Sequence, residues 1–114
     1  MDLMSIAKSG LRVGDAMAVA AASNIANSHS VTRVPAVTAV DGATAPATYP
    51  YQPVRAVATA EPGGGASVVL VEQTGEVDIN SNLVDLVEAQ NLYSANAAVL
   101  RADRRMQSSL DLLA

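Results

Sequence analysis

Apolar residues recur at every seventh position near both ends of this chain. Met4, Leu11, Ala18 and Ile25 form one such series, with Ala7, Gly14 and Ala21 between them. Leu92, Val99, Met106 and Leu113 form the other, with Ala95, Ala102 and Ser109 between. A seven-residue period keeps a narrow apolar stripe turned toward a neighbouring helix over several turns. Both terminal segments therefore read as helices that pack lengthwise on another helix. The second carries a further stripe through Leu83, Leu86, Val87, Tyr93, Ala97 and Leu100, which predicts burial on more than one face. Run from about residue 79 to 113, it would be about 50 Å long at 1.5 Å per residue, far beyond the usual 11–12 residues.

Punctuation along the chain agrees with two helices and an insert. All five prolines and five of the seven glycines fall between residues 28 and 77, and none of either falls from 78 onward. The expected organisation is an N-terminal helix within 1–28, an insert over 29–77 and a C-terminal helix within 78–114. Asp78 is placed as the N-cap of the second helix. Asp85 and Glu88 then stand toward the positive end of its dipole, and Arg101, Arg104 and Arg105 toward the negative end. Within the insert, the Val-rich runs 51–59 and 66–72 flank Glu61-Pro62-Gly63-Gly64-Gly65, which predicts a β-hairpin. Residues 33–50, with Asp41-Gly42, read as an extended connector. The fold class expected is mainly α with a small β insert, the terminal helices pairing as a coiled-coil-like hairpin.

The chain is half hydrophobic, yet it has no Phe, Trp or Cys, and Ala and Val outnumber ten Leu, three Ile and four Met. Small side chains bury little area at about 25 cal/mol per Å², and a 114-residue chain is already poor in interior volume. Gly10 and Gly14 each weaken a helix interior by about 1 kcal/mol relative to Ala. Order in the first helix must therefore come from partners.

The same composition removes several kinds of activity. A net charge of −4 with no basic block argues against a nucleic-acid surface, which needs cations to displace counterions. The absence of Cys removes disulfides, thiolate zinc sites and thiol nucleophiles. No apolar run reaches the roughly 18–20 residues of a bilayer span. The run from Ala16 to Ser23 imitates a signal peptide, but acidic Asp2 and the interrupting Asp15 speak against one. Gly63-Gly64-Gly65 is followed by no Lys-Ser or Lys-Thr and reads as a turn, not a phosphate loop. His29 with Glu72, Glu76 or Asp78 lacks ligand spacing, and nothing imitates a strained nucleophile turn. No enzymatic activity, metal or cofactor is expected.

Two runs carry a family resemblance. Ser9-Gly10-Leu11, a thirteen-residue spacer and Ile25-Ala26-Asn27 resemble the signature of flagellar rod and hook proteins, S-G-L, a helical spacer, then S-N-N-I-A-N. Of its S-N-N, Ala22-Ser23-Asn24 keeps the last Asn. Near the other end, Val77 to Gln90 resembles the family's V-N-L-x-E-E-M-V-x-M-I-E-A-Q without a gap, with Ser81 and Asn82 in place of the acidic pair. Tyr93, Ala95-Asn96-Ala97 and Val99 continue the likeness. The short middle segment, and Ser28-His29-Ser30 where distal-rod and hook members have Pro-Gly-Tyr, resemble the proximal-rod type.

The resemblance implies a structural subunit of the bacterial flagellar basal body. It implies export through the flagellar type III apparatus without a cleaved signal and polymerisation into the periplasmic rod that transmits torque and lines the export channel. Partners would be further copies and other rod or ring proteins. A soluble helical adaptor or chaperone-like module acting as a small oligomer is the alternative. The residues expected to pack the helices and build the subunit interface are Met4, Leu11, Gly14, Ala18, Ile25 and Asn27 in the first segment. In the last they are Leu83, Leu86, Leu92, Tyr93, Ala95, Val99, Met106 and Leu113.

Overall fold

A computed structural model describes residues 2–33, 37–38, 44–45 and 48–114. Two helices dominate, α1 (Leu3–Ala26) and α2 (Ile79–Leu113). Between them lie the strands β1 (Val31–Arg33), β2 (Val37–Thr38), β3 (Thr44–Ala45), β4 (Thr48–Pro50), β5 (Val54–Ala60) and β6 (Ala66–Glu72). The chain is mainly helical with a small β insert, as the periodicity predicts. Its extents of 80 × 28 × 18 Å make it a rod, not a ball.

Each helix starts on a carboxylate. Asp2 caps α1 by accepting from the Met4 backbone N–H at 3.1 Å, a role the sequence reading missed. Asp78 caps α2, accepting from the N–H groups of Asn80 and Ser81 at 3.0 and 3.3 Å and from the Ser81 hydroxyl at 2.9 Å. Ser81 thus does for this helix start what an acidic residue would not. Asn27 closes α1, its side-chain amide donating to the Ser23 carbonyl at 2.9 Å. One expectation needs correction. Neither the first turn of α2 holds an acidic residue nor its last turn a basic one. Because the dipole's influence fades within a turn, Asp85, Glu88 and the three arginines contribute little to it.

β5 and β6 pair antiparallel in register from Val54↔Glu72 to Ala60↔Ala66, with Gly64 and Gly65 at φ of 88° and 95° in the turn. Such positive angles suit glycine, which has no Cβ to clash. Within the stretch that reads as an extended connector with little order of its own, the described residues form two short antiparallel pairings, β1 with β4 and β2 with β3. β-branched Val and Thr favour that pairing. The Asp41-Gly42 turn signal lies outside the described residues.

An isolated two-stranded hairpin is marginal in water and needs a surface to lie on; here α1 supplies it. Val54, Ala56 and Val68 are half-buried toward the helix, while Val57 and Val69, paired across the outer face, are 41% and 59% exposed. The interior is thin. Buried hydrophobic residues are Ala7, Ala20, Ala21 and Ala89, and no large side chain is fully buried among the described residues. The accessible surface is 8188 Å², against about 5,800 Å² for a globular protein of this mass. The difference is the size of a large obligate interface.

The hydrogen bonds at Asp78 favour its ionised form, so its pKa lies below the ordinary carboxylate value, led by the Ser81 hydroxyl. A lowered folded pKa contributes stability that is present above the unfolded value and lost as pH falls through the folded one. We expect Asp78→Ala to lower the thermal midpoint at neutral pH, and this difference from wild type to vanish on acidification below the usual aspartate range. Circular dichroism melts at a series of pH values test it.

A candidate assembly surface on the helix pair

The antiparallel pairing of α1 and α2 is made by small and polar residues, not by leucines. A Cβ placed on Gly14 would stand 3.2 Å from the Ala89 carbonyl oxygen and 3.3 Å from the Tyr93 nitrogen. Those are backbone atoms of α2, so a methyl here would need α2 to give way by a few tenths of an ångström. One heptad on either side, Ala7 and Ala21 are also buried. A methyl at Gly10 would overlap the Asn96 carboxamide, whose amide donates to the Leu92 carbonyl at 2.8 Å. Contacts of Gly10 with Asn96, Gly14 with Ala89 and Asn24 with Asn82 fix one antiparallel register.

Asn24 joins three elements. Its side-chain nitrogen donates to the Val54 carbonyl and to Asn82 Oδ1, both at 2.8 Å, and its oxygen accepts from the Val54 N–H at 2.8 Å. The carboxamide therefore pairs with the edge of β5 as a strand backbone would. Asn82 is oriented in turn by donating to the Asp78 carbonyl at 2.7 Å. Both asparagines are buried, and no buried side-chain polar atom among the described residues lacks a partner. Nearby, Ser23 Oγ and the Tyr51 hydroxyl lie 3.0 Å apart.

Ser9 pins the other end of the hairpin. Its hydroxyl donates to the Ile6 carbonyl at 2.7 Å and accepts from the Ala66 N–H at 3.1 Å. Ser9 and Asn24 are fifteen residues apart, about 22 Å along a helix. Val54 to Ala60 spans about 20 Å as a strand. The two pins therefore match the length of β5. Ser9, Gly10, Asn24 and Asn27, which in sequence looked like motif letters, each hold a joint. Sequence reasoning missed the partners Ser9 and Asn24 take, because both lie far away in the chain.

Large apolar residues flank this seam without entering it. On α1, Leu11, Ala18 and Ile25 stand roughly a third to a half of a turn from Ser9 and Asn24 by helical spacing, which puts them on the side away from the hairpin. There Gly14, Ala18, Leu86, Ala89 and Tyr93 line an apolar groove of about 400 Å³, with Asp15 at its rim. Of the expected interface residues, Gly14 is buried; Met4, Leu11, Ala18, Ile25, Asn27, Leu86 and Leu92 are half-buried. Leu83, Tyr93, Ala95, Val99, Met106 and Leu113 are exposed, Leu113 at 85%. The series Leu92–Val99–Met106–Leu113 runs beside the line Asn82–Ala89–Asn96 that meets α1. Leu83 and Val99 therefore lie exposed beside the line of closest approach, and Met106 stands beyond the end of α1.

Other candidate chemistry is sparse. His29 is exposed, beside the Ser28 hydroxyl at 3.1 Å, and shares a shallow cleft with Glu76. No group of three or more His, Asp or Glu residues among those described could hold a metal ion. No helix among the described residues is long and apolar enough to cross a membrane. No family model matches the chain, and no curated protein matches it.

Removing the Asn24 carboxamide strands the Val54 backbone and Asn82, and each orphaned buried group costs about 1–3 kcal/mol. We expect Asn24→Ala to lower unfolding stability by about 3 kcal/mol in urea titration. Asn24→Asp does not rescue it, because a carboxylate would face the Val54 and Asn82 oxygens. Gly14→Ala gains about 1 kcal/mol of helix propensity but forces the α2 backbone away. A net loss of stability in the same titration is the expected result.

Proposed function

We propose that this chain is a structural subunit of the bacterial flagellar basal-body rod, of the proximal type, that polymerises through its terminal helices. The observation that carries this reading is the pairing of α1 and α2 through Gly10, Gly14, Ala21 and Ala89, which leaves large apolar residues of α2 exposed, Leu83, Val87, Met106 and Leu110 among them, and most of those on α1 only half-buried. A helix pair so built is complete only in company. The motif likeness supports the same reading, and positions that carry it have work in this fold: Ser9, Gly10 and Asn27 in the first run, Asn96 in the last.

In this reading the helix pairs of successive copies form the tube wall, and the β5–β6 hairpin, pinned along α1, stands to one side. Torque is carried by interlocked helices, for which dense contacts between small residues are stiff. Export as an unfolded chain suits a fold with a thin interior and no disulfides, since little stability must be undone before passage. The surrounding copies then offset the entropy of ordering. The adaptor reading rests on one feature, the satisfied polar joint at Asn24 and Asn82, which lets a single chain hold its own shape.

Val99, which is 37% exposed, offers a direct test. In a flagellated bacterium carrying this chain in place of its own copy, Val99→Asp is expected to leave the purified monomer's helix content unchanged while abolishing swimming. Basal bodies isolated from such cells should lack the rod. Motile cells with intact rods would remove the interface, and wild-type chain absent from isolated basal bodies would remove the rod reading in favour of a soluble adaptor.

A further inference from the structure

Resting on the self-assembly proposed above, we infer its polarity and its contact surfaces: the C-terminal end of α2 in one copy docks into the interhelix groove of a second copy, so that copies join head to tail. At the observed register Leu3, the first residue of α1, lies level with Asp103, and α2 continues for ten more residues, Arg104–Leu113. That extension is about 15 Å of helix. On it Met106, Leu110 and Leu113 are 58%, 61% and 85% exposed. They stand at i, i+4 and i+7, the spacing by which an amphipathic helix seats in an apolar groove.

The occupant follows from continuity of the internal seam. Asn82, Ala89, Asn96 and Asp103 step by sevens along the line that meets α1, and Leu110 is the next step. The extension thus prolongs a helix-packing line past the point where α1 of its own chain can cover it. The groove formed by Gly14, Ala18, Leu86, Ala89 and Tyr93 presents an α1 flank and an α2 flank to one side. A straight helix cannot fold back onto it, so tail and groove of one molecule cannot meet. Between two molecules they can. The tail, with Arg104 and Arg105 against Asp111, is net positive, opposite in sign to Asp15 at the groove rim, which favours the encounter. Because tail and groove are different surfaces, the contact is heterologous and repeats without closing, giving a chain of copies.

Heterologous contacts have a distinctive signature in mixtures. Sedimentation velocity on the full chain should show concentration-dependent association. Leu110→Glu, which spoils the tail, and Ala18→Glu, which spoils the groove, should each weaken it at least tenfold. Tyr93→Glu serves as a second groove variant, because Tyr93 is half exposed and circular dichroism can verify its fold. Mixed in equal amounts, a tail variant and a groove variant retain one intact tail and one intact groove between them. They should form heterodimers and nothing larger. Wild-type chain still monomeric at ~1 mM, a single variant that associates like wild type, or a mixture that stays monomeric each overturns the inference. Head-to-tail association by a chain absent from isolated basal bodies would sink the rod reading and leave this inference standing. Chain present in basal bodies whose tail and groove variants still build intact rods would do the reverse.

Discussion

Gly14 sets its bare Cα against the backbone of α2 at Ala89 and Tyr93, and that approach governs the rest of the molecule. Two helices this close exclude leucine and methionine from the line between them. Ala7, Ala21 and Ala89 fill it instead, and the larger residues are turned to the flanks. Dispersion between tightly meshed small groups replaces the area burial that holds most helix pairs. The accompanying result is a chain with a narrow interior and a wide apolar exterior, the opposite of what a solitary globular domain of this length requires.

Polar groups complete what the thin interior cannot. Asn24 binds the edge of β5 with a carboxamide acting as a third strand, and Asn82 closes the bond to α2. Fifteen residues earlier Ser9 holds the start of β6. Buried hydrogen bonds contribute little net stability but are expensive to leave unmade. They therefore select one placement of the hairpin among the many that a smooth Ala-rich helix would allow. The rod-like shape, the fixed hairpin and the open groove on the other side follow from the same seam.

The functional proposal joins two lines of support that are separate in origin. One is the pattern of letters at the two ends of the chain. The other is the distribution of exposed apolar surface, which leaves the tail of α2 and the interhelix groove without cover among the described residues. Both lead to assembly. The first adds the flagellar rod as its setting, and the second supplies surfaces that differ from each other, which is the geometric condition for an open-ended polymer.

Periodicity by itself determined the two helices, their near limits and the hairpin between them, because the spacing of apolar residues and the placing of Gly and Pro are local properties. It also marked Asp78 as a cap. Which stripe meets which was beyond it: Met4–Leu11–Ala18–Ile25 and Leu92–Val99–Met106–Leu113 have the right period, yet the contact line runs beside them through Gly14, Ala89 and Asn96. On a helix several stripes share one period, and the choice among them is made by how closely the partner can come. That distance is set by residues far apart in the chain. Only the tertiary structure decided it, together with the distant partners of Ser9 and Asn24; Ser9 back-bonds to Ile6 within its own helix as well, and that local bond is all a sequence can anticipate.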